Sequence, residues 1–213
     1  MRVFSNSAVS LDGKIGTWRH DHVAIGSEAD RRWMGVLRAQ ADAVLVGGAT
    51  YRAWSIPMVE PDFARSRPLI NAVLTRTGAG PRSGRFFQDP RTVPVFLGGP
   101  EANLEGFPPG TVVHRAQSSA SVAWALEVLR DVHGVDNLLI EGGGDIIFQL
   151  LEADLLDEVY VTLCPCIIGG RDAPTLADGS GFEADGLRRL TLEDMRREGD
   201  EVYLKYRVVR QRR

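Results

Sequence analysis

Three apolar segments of this sequence end in paired or tripled glycines, at Gly47-Gly48, Gly98-Gly99 and Gly142-Gly143-Gly144. Where a strand hands over to a helix, glycine lets the backbone approach an anion closely. The helix that follows then points free N–H groups and a partial positive charge at it. Gly142 to Gly144, with Asp145 opening the next helical segment, is the best placed of the three for a phosphate. Ligands of open α/β sheets bind outside the carboxyl ends of the strands, so the three turns are expected to face one cleft. Neither Gly-x-Gly-x-x-Gly nor Gly-x-x-x-x-Gly-Lys-Ser/Thr occurs, which removes the signatures of Rossmann and Walker nucleotide sites. Glycine also serves strand-to-helix turns for conformational reasons alone, so its neighbours must decide the reading.

Other chemistry-bearing side chains narrow the field. Cys164 and Cys166 lie one residue apart, too close for an unstrained bridge, and read as structural thiols. Cys164-Pro165-Cys166 is also mis-spaced for the Pro-Cys-x-x-Cys zinc signature of nucleobase deaminases. His20-Asp21-His22 offers two imidazoles and a carboxylate but no third ligand nearby, and is read as a loop, so no metal is expected. His114 and His133 stand as lone residues.

The elements that must position these groups follow from pattern. Val3 to Val9 reads as a strand, and Ser27 caps a helix that carries Trp33, Met34, Val36 and Leu37 to about Gln40. Ala43 to Val46 is a short apolar run of the kind buried on both faces of a parallel sheet. Pro68 to Leu74 and Val93 to Leu97 give further strands, with the Gly-, Pro- and Arg-rich stretch 77–90 as the least ordered connection. Ser118 or Ser119 caps a helix to about Val132, Leu138 to Glu141 is a strand, and Asp145 to Leu151 a helix. Glu158 to Leu163 and Glu201 to Val209 are late alternating strands, which suggests an antiparallel edge. The 213 residues read as a single domain, 1–213, with 44% hydrophobic content typical of globular chains. A net charge of −3 lacks the field that nucleic-acid binding needs, and the Arg210, Arg212 and Arg213 cluster is a solvated end. No apolar run reaches the ~18 residues of a membrane span and no signal segment stands at the start, so a cytoplasmic protein with no membrane partner is expected.

Five stretches occur in order: Ser10-Leu11-Asp12-Gly13-Lys14-Ile15, then Leu37 to Asp42 leading into Val44-Leu45-Val46-Gly47, then Leu139-Ile140-Glu141-Gly142-Gly143-Gly144, then Leu156-Asp157-Glu158-Val159, then Ile167-Ile168-Gly169-Gly170. Together they make the chain resemble the riboflavin-pathway pyrimidine reductases, the C-terminal reductase domain of RibD. The resemblance implies a dihydrofolate-reductase-like α/β fold, a mainly parallel sheet flanked by helices with an antiparallel C-terminal edge. It also implies a homodimer and NADPH lying across the carboxyl ends of the strands. By the same resemblance Ala8 meets the nicotinamide half, while Thr50 and Gly143 to Asp145 hold the diphosphate. Gly47, Gly48, Gly98 and Gly142, from the glycine turns that face the cleft, are expected to line the cofactor. The end of the third strand meets the adenosine ribose. Here that end is Thr75-Arg76, a hydroxyl and a guanidinium that suit a 2′-phosphate.

On the substrate side the resemblance implies Asn6, Asp12, Arg38 and Glu141, with Asn6 and Asp12 as the catalytic candidates. Each has a structural alternative: Asp12 ordering a turn, Arg38 pairing with Asp42, Glu141 serving a helix start. The activity implied is reduction of the ribosyl unit of a small-molecule phosphoribosylamino-pyrimidine to a ribityl chain, by hydride transfer to the sugar C1. One departure stands out. Family members follow the threonine at position 50 with an Asp-Asp-Pro turn and a Leu-x-x-Arg phosphate segment, whereas this chain reads Arg52-Ala53-Trp54-Ser55-Ile56-Pro57. A substrate phosphate would then need Arg52, Arg65 or Arg67. Reduction of dihydrofolate or another small molecule, and cofactor binding without catalysis, are the competing readings.

Overall fold

Ala43, Val44 and Leu45 have no exposed surface and Val46 only 3%, so both faces of this strand are covered, as its unbroken apolar run requires. In the computed structural model, which describes residues 1–19, 23–59 and 66–210, the elements run β1 (Arg2–Ser10), α1 (Glu28–Ala39), β2 (Ala43–Gly47), α2 (Gly48–Trp54), β3 (Leu69–Thr75), β4 (Thr92–Gly98), β5 (Val112–Arg115), α3 (Val122–Asp131), β6 (Asn137–Ile140), α4 (Gly144–Glu152), β7 (Glu158–Cys164), β8 (Leu190–Glu198) and β9 (Glu201–Val208). His20-Asp21-His22, Arg65, Arg212 and Arg213 lie outside the described residues. The chain divides into two compact units: Met1–Arg2 with Gly35–Leu139, and Val3–Met34 with Ile140–Arg213.

In the first unit β2, β3, β4 and β5 pair in parallel, with Gly47 beside Leu74 and Thr75 beside Gly98. The carboxyl ends of β2, β3 and β4 are therefore level. α3 buries Val122, Ala125, Leu126 and Leu129 at helical spacing. Its cap is Ser121, whose Oγ accepts the Trp124 N–H at 3.2 Å, and not Ser118 or Ser119. The stretch 77–90 is better ordered than its composition suggests. Arg82 donates to the carbonyls of Gly78, Gly80, Asn103 and Glu105 and lies 4.0 Å over the Phe107 ring. A single turn at Arg85–Phe87 adds Phe86 to an edge-on cluster with Tyr51 and Phe96. The four-residue β5, half exposed with an alternating pattern, was not foreseen.

In the second unit β1 runs parallel to β7, and β7, β9 and β8 continue antiparallel. The α/β class, the mainly parallel pairing and the antiparallel C-terminal edge are thus as expected, although β8 itself was missed. Ser27 caps α1 as predicted, its Oγ accepting the Ala29 N–H at 3.1 Å. Trp33 of α1 packs on Tyr160 of β7 and edge-on against Tyr203 of β9. Parallel and antiparallel partners share a sheet face, so α1 covers the face that carries Asn6, Ala8, Tyr160, Thr162 and Tyr203. Arg188 donates to the carbonyls of Leu151 and Glu152, tying the 165–189 connection to the last turn of α4.

Candidate active site

In the second unit the expected diphosphate turn is built as follows. β6 ends at Ile140, Gly142 takes a φ of 99°, and a cis peptide bond joins it to Gly143. Gly143 is the N-cap of α4 and, having no side chain, supplies no acceptor to the first N–H groups of this nine-residue helix. Gly144 has a second reason to be glycine. A Cβ there would come within 2.5 Å of the Thr175 carbonyl oxygen and run into the Asp178 carboxylate. Asp178 is fixed by the Thr175 N–H at 3.0 Å and hydroxyl at 2.7 Å. Asp145 is exposed on the first turn, Glu141 half-buried just before the glycines. The start of α4 is thus glycine backbone with no N-cap side chain, the kind of helix terminus that suits an anionic group.

In the middle of β1, Asn6 is 7% exposed and its Oδ1 is buried without a hydrogen-bond partner. Ala8 is half-buried. Asp12 serves as a clasp: Oδ1 accepts the Ser10 hydroxyl at 2.6 Å and the Ile168 N–H at 3.0 Å, and Oδ2 accepts the Gly169 N–H at 2.7 Å. These bonds, that of Ser10 foremost, hold its carboxyl down to about 2. An ionised carboxylate with both oxygens engaged is a poor proton donor, so the geometry favours the ordering role of Asp12 over the acid–base one.

A buried polar cluster lies under α1. Glu201 accepts the Ser27 N–H at 2.7 Å, the Ser27 hydroxyl at 2.6 Å and the Tyr203 hydroxyl at 2.6 Å. Burial alone would raise its pKa, but these donors outweigh it and the carboxyl is held below its usual value. Asp30, 8% exposed, has the opposite environment. Its Oδ1 is buried without a partner, as is the Thr162 Oγ1. Burial, and then the charges of Glu201 and Glu141, push its carboxyl up, although Thr162 and Arg31 pull the other way. Next to it Cys164 is a free thiol that burial pushes up to about 12, consistent with its structural reading.

In the first unit Gly47, Gly48, Thr75, Arg76 and Gly98 come together at the level ends of β2, β3 and β4. Gly47 caps α2 with no side-chain bond, and Thr50 is half-buried on the first turn. A Cβ on Gly48 would lie 3.0 Å from the Thr75 Oγ1 and 3.3 Å from an Arg52 nitrogen. Thr75 is buried and accepts the Gly78 N–H at 3.0 Å, so its hydroxyl shapes the turn, while Arg76 is exposed. Gly98 is a packing glycine, since a Cβ would meet that of Ala102 at 2.8 Å. The carbonyls of Gly99, Pro100 and Ala102 beyond it are bound by Arg115. Arg38 is buried at 7% exposure. Arg67 sits at the amino ends of the strands, bonded to Asp42 at 2.7 Å, which places it away from the glycine turns and leaves Arg52 as the described phosphate candidate.

Two relationships escaped sequence reasoning. Asp30 shares an i, i+4, i+7 stripe with Met34 and Leu37, a signal that it faces the core. His114 and His133 are not lone residues: their Nε2 atoms lie 2.8 Å apart. Among the described residues no group of three or more metal-binding side chains forms.

The sequence model of the RibD C-terminal domain matches residues 1–204. The 2,5-diamino-6-ribosylamino-4(3H)-pyrimidinone 5′-phosphate reductase of Methanothermobacter thermautotrophicus is 32% identical over 97% of each chain. Among solved structures, a pyrimidine reductase-like protein of Corynebacterium diphtheriae superposes with a TM-score of 0.83 at 22% identity, covering 99% of this chain and 92% of that one. RibD of Acinetobacter baumannii gives 0.80 at 20% identity, and this chain spans 98% of itself but 58% of that longer protein. At these identities the structures establish the dihydrofolate-reductase-like fold.

Proposed function

The chain belongs to the RibD C-terminal domain family, an oxidoreductase by that membership, and on this premise we propose that it reduces 2,5-diamino-6-ribosylamino-4(3H)-pyrimidinone 5′-phosphate with NADPH in riboflavin biosynthesis. The diamino-pyrimidinone is preferred to its uracil counterpart because the relative similar over its whole length is named for it. The observation that carries a dinucleotide is the uncapped start of α4 behind Gly142-Gly143, with Gly144 kept bare by Thr175 and Asp178.

NADPH, when bound, supplies the hydride; the chain's residues bind, orient and manage protons. Gly142, Gly143, Gly144 and Asp145 are assigned to the diphosphate and Ala8 to the nicotinamide half. In the first unit Gly47, Gly48, Thr50 and Gly98 are assigned to the cofactor backbone, and Arg76, beside a Thr75 busy with its own turn, to the 2′-phosphate that favours NADPH over NADH. Asn6 offers a buried acceptor to the substrate, Asp12 fixes the loop after β1, and Glu141 and Arg38 complete the substrate contacts. Residues 1–213 act as one reductase domain, as a cytoplasmic homodimer. Among the described residues no helix is long and apolar enough to cross a membrane.

Purified protein with NADPH and the authentic substrate should form NADP⁺ and a product richer by two hydrogens, read by absorbance and mass. No turnover would sink this reading, and efficient reduction of dihydrofolate instead would replace it.

A further inference from the structure

We propose that Asp30 is a catalytic residue of this reductase, the acid that protonates the sugar ring oxygen as the ring opens. The inference rests on the reduction proposed above and deepens it by naming the proton donor.

Four observations meet at this side chain. First, Asp30 is more than nine-tenths buried, yet its Oδ1 has no hydrogen-bond partner. Buried polar atoms are nearly always satisfied, and an exception asks for a ligand or a function. Secondly, two more unpartnered buried oxygens, the Asn6 Oδ1 and the Thr162 Oγ1, project from the face of β1 and β7 that α1 covers. Three orphaned polar atoms on one face are what a polar substrate would complete. Thirdly, the carboxyl lies close against Gly26, where any Cβ would strike it, so the glycine leaves it room. Fourthly, the neighbouring Glu201 takes three donors and Asp30 takes none of them, so burial and the Glu201 charge push the Asp30 carboxyl above its usual value. The charged and titratable groups that bear on Asp30 are Glu201 and Tyr203 of β9, Cys164 of β7, Glu141 after β6 and Arg31 on α1 itself.

The chemistry needs such a group. The exocyclic nitrogen forms a double bond to C1 as the bond from C1 to the ring oxygen breaks, and the electron pair left on that oxygen takes the Asp30 proton. NADPH, when bound, would supply hydride to C1, and the electrons of the carbon–nitrogen double bond would return to nitrogen. The sugar carbon gains two electrons, NADPH becomes NADP⁺, and Asp30 recovers its proton from solvent. A buried carboxylic acid with a raised pKa suits this task near neutral pH.

The test uses the whole chain. Asp30→Asn should lower kcat by about 10² to 10⁴-fold, the usual worth of a positioned general acid, with NADPH affinity by fluorescence unchanged. Wild-type kcat should fall as pH rises through the raised Asp30 value, and that limb should be absent in Asp30→Asn. Thr162→Val removes a hydroxyl that, although outside hydrogen-bond geometry, lies near enough to pull the Asp30 pKa down, so it should move the limb to higher pH while the plateau persists. It also serves if Asp30→Asn does not fold. A readout independent of turnover is the infrared carbonyl band of a protonated carboxyl in the wild type, expected to titrate in step with the limb and to shift in Thr162→Val. Retention of kcat and of the limb in Asp30→Asn, a change confined to KM, or a limb unmoved by Thr162→Val would each overturn the proposal. A wild type with no turnover would instead overturn the substrate assignment, and the infrared titration would still decide whether Asp30 is held as the acid.

Discussion

Asp30 on the first turn of α1 and Glu201 at the start of β9 are two buried carboxyl groups in one cluster, and only Glu201 is furnished with donors. Their pKa values are driven apart, Glu201 down and Asp30 up. For Asp30 the folded pKa exceeds the unfolded one, so its favourable contribution is complete at pH below ~3.9 and is lost as pH rises through the folded value. Asp30→Asn does not ionise, so its stability relative to wild type should rise between acid and neutral pH. Urea unfolding at several pH values measures it, and a relative stability that does not rise with pH would contradict it.

The Asp12 clasp gives a prediction for the loop after β7. Removing its three accepted bonds frees the N–H groups of Ile168 and Gly169. Amide exchange at these two positions should quicken in Asp12→Ala, while exchange in β1 and β7 stays slow. In the wild type the same protection should persist down to pH near 2, because the folded Asp12 lies at about 2, below its unfolded value. Unchanged exchange at Ile168 would mean the clasp does not order the loop.

How much of this was legible in the sequence depended on where each residue's partner lay. Strands buried on both faces, such as Ala43 to Val46, announce themselves as apolar runs. β8 did not, because solvent reaches it throughout: Leu190, Leu192 and Met195 are exposed among charged neighbours, which erases the alternation that reveals a half-buried strand. The glycine turns were visible as turns, but not that Gly144 is kept bare by Thr175 and Asp178, some thirty residues on. Likewise Asp12 read as a turn residue, while its partners at Ile168 and Gly169 are more than 150 residues away. The resemblance supplied a list of site positions; it did not show that Asp42 is held by Arg67 and the Asp136 and Asn137 N–H groups.

Gly144→Ala tests the cradle. Its new Cβ meets a carbonyl oxygen on a connection tied down by Asp178, so the start of α4 must shift. Overpacking of this kind costs about 1–3 kcal/mol, and the displaced N–H groups should raise the NADPH Kd more than tenfold. Gly106→Ala is a control for stability at an open positive-φ site, where strain arises without any neighbour. Normal cofactor binding in a folded Gly144→Ala would remove α4 from the diphosphate site.

The His114 and His133 pair predicts a pH dependence in the first unit. Their Nε2···Nε2 bond needs one donor and one acceptor, and burial pushes both imidazoles below their usual value, His114 adding to the effect on His133. With folded values below the unfolded ~6.5, their contribution is present above that pH and lost as pH falls through the folded values. The Tm should hold from pH 8 to 7 and decline below about 6.5, and the double variant His114→Gln with His133→Gln should flatten that decline. An equal decline in the double variant would assign it to other groups.

The assignment of Arg76 to the 2′-phosphate predicts how the cofactors are distinguished. It is exposed at the end of β3, one residue past a threonine whose hydroxyl is committed to the Gly78 N–H, so within that dipeptide the guanidinium is the group free to meet a phosphate. A charge-assisted hydrogen bond is worth about 1.5–3 kcal/mol, which is roughly ten to 150-fold in affinity. Arg76→Ala should raise the KM for NADPH by that factor and leave the KM for NADH and both kcat values in place, because the ribose lies far from the hydride. The NADPH KM of the wild type should also climb with salt, as for an exposed charge pair, and that dependence should weaken in the variant. Equal losses with both cofactors would show that Arg76 supports the turn and reads no 2′-phosphate.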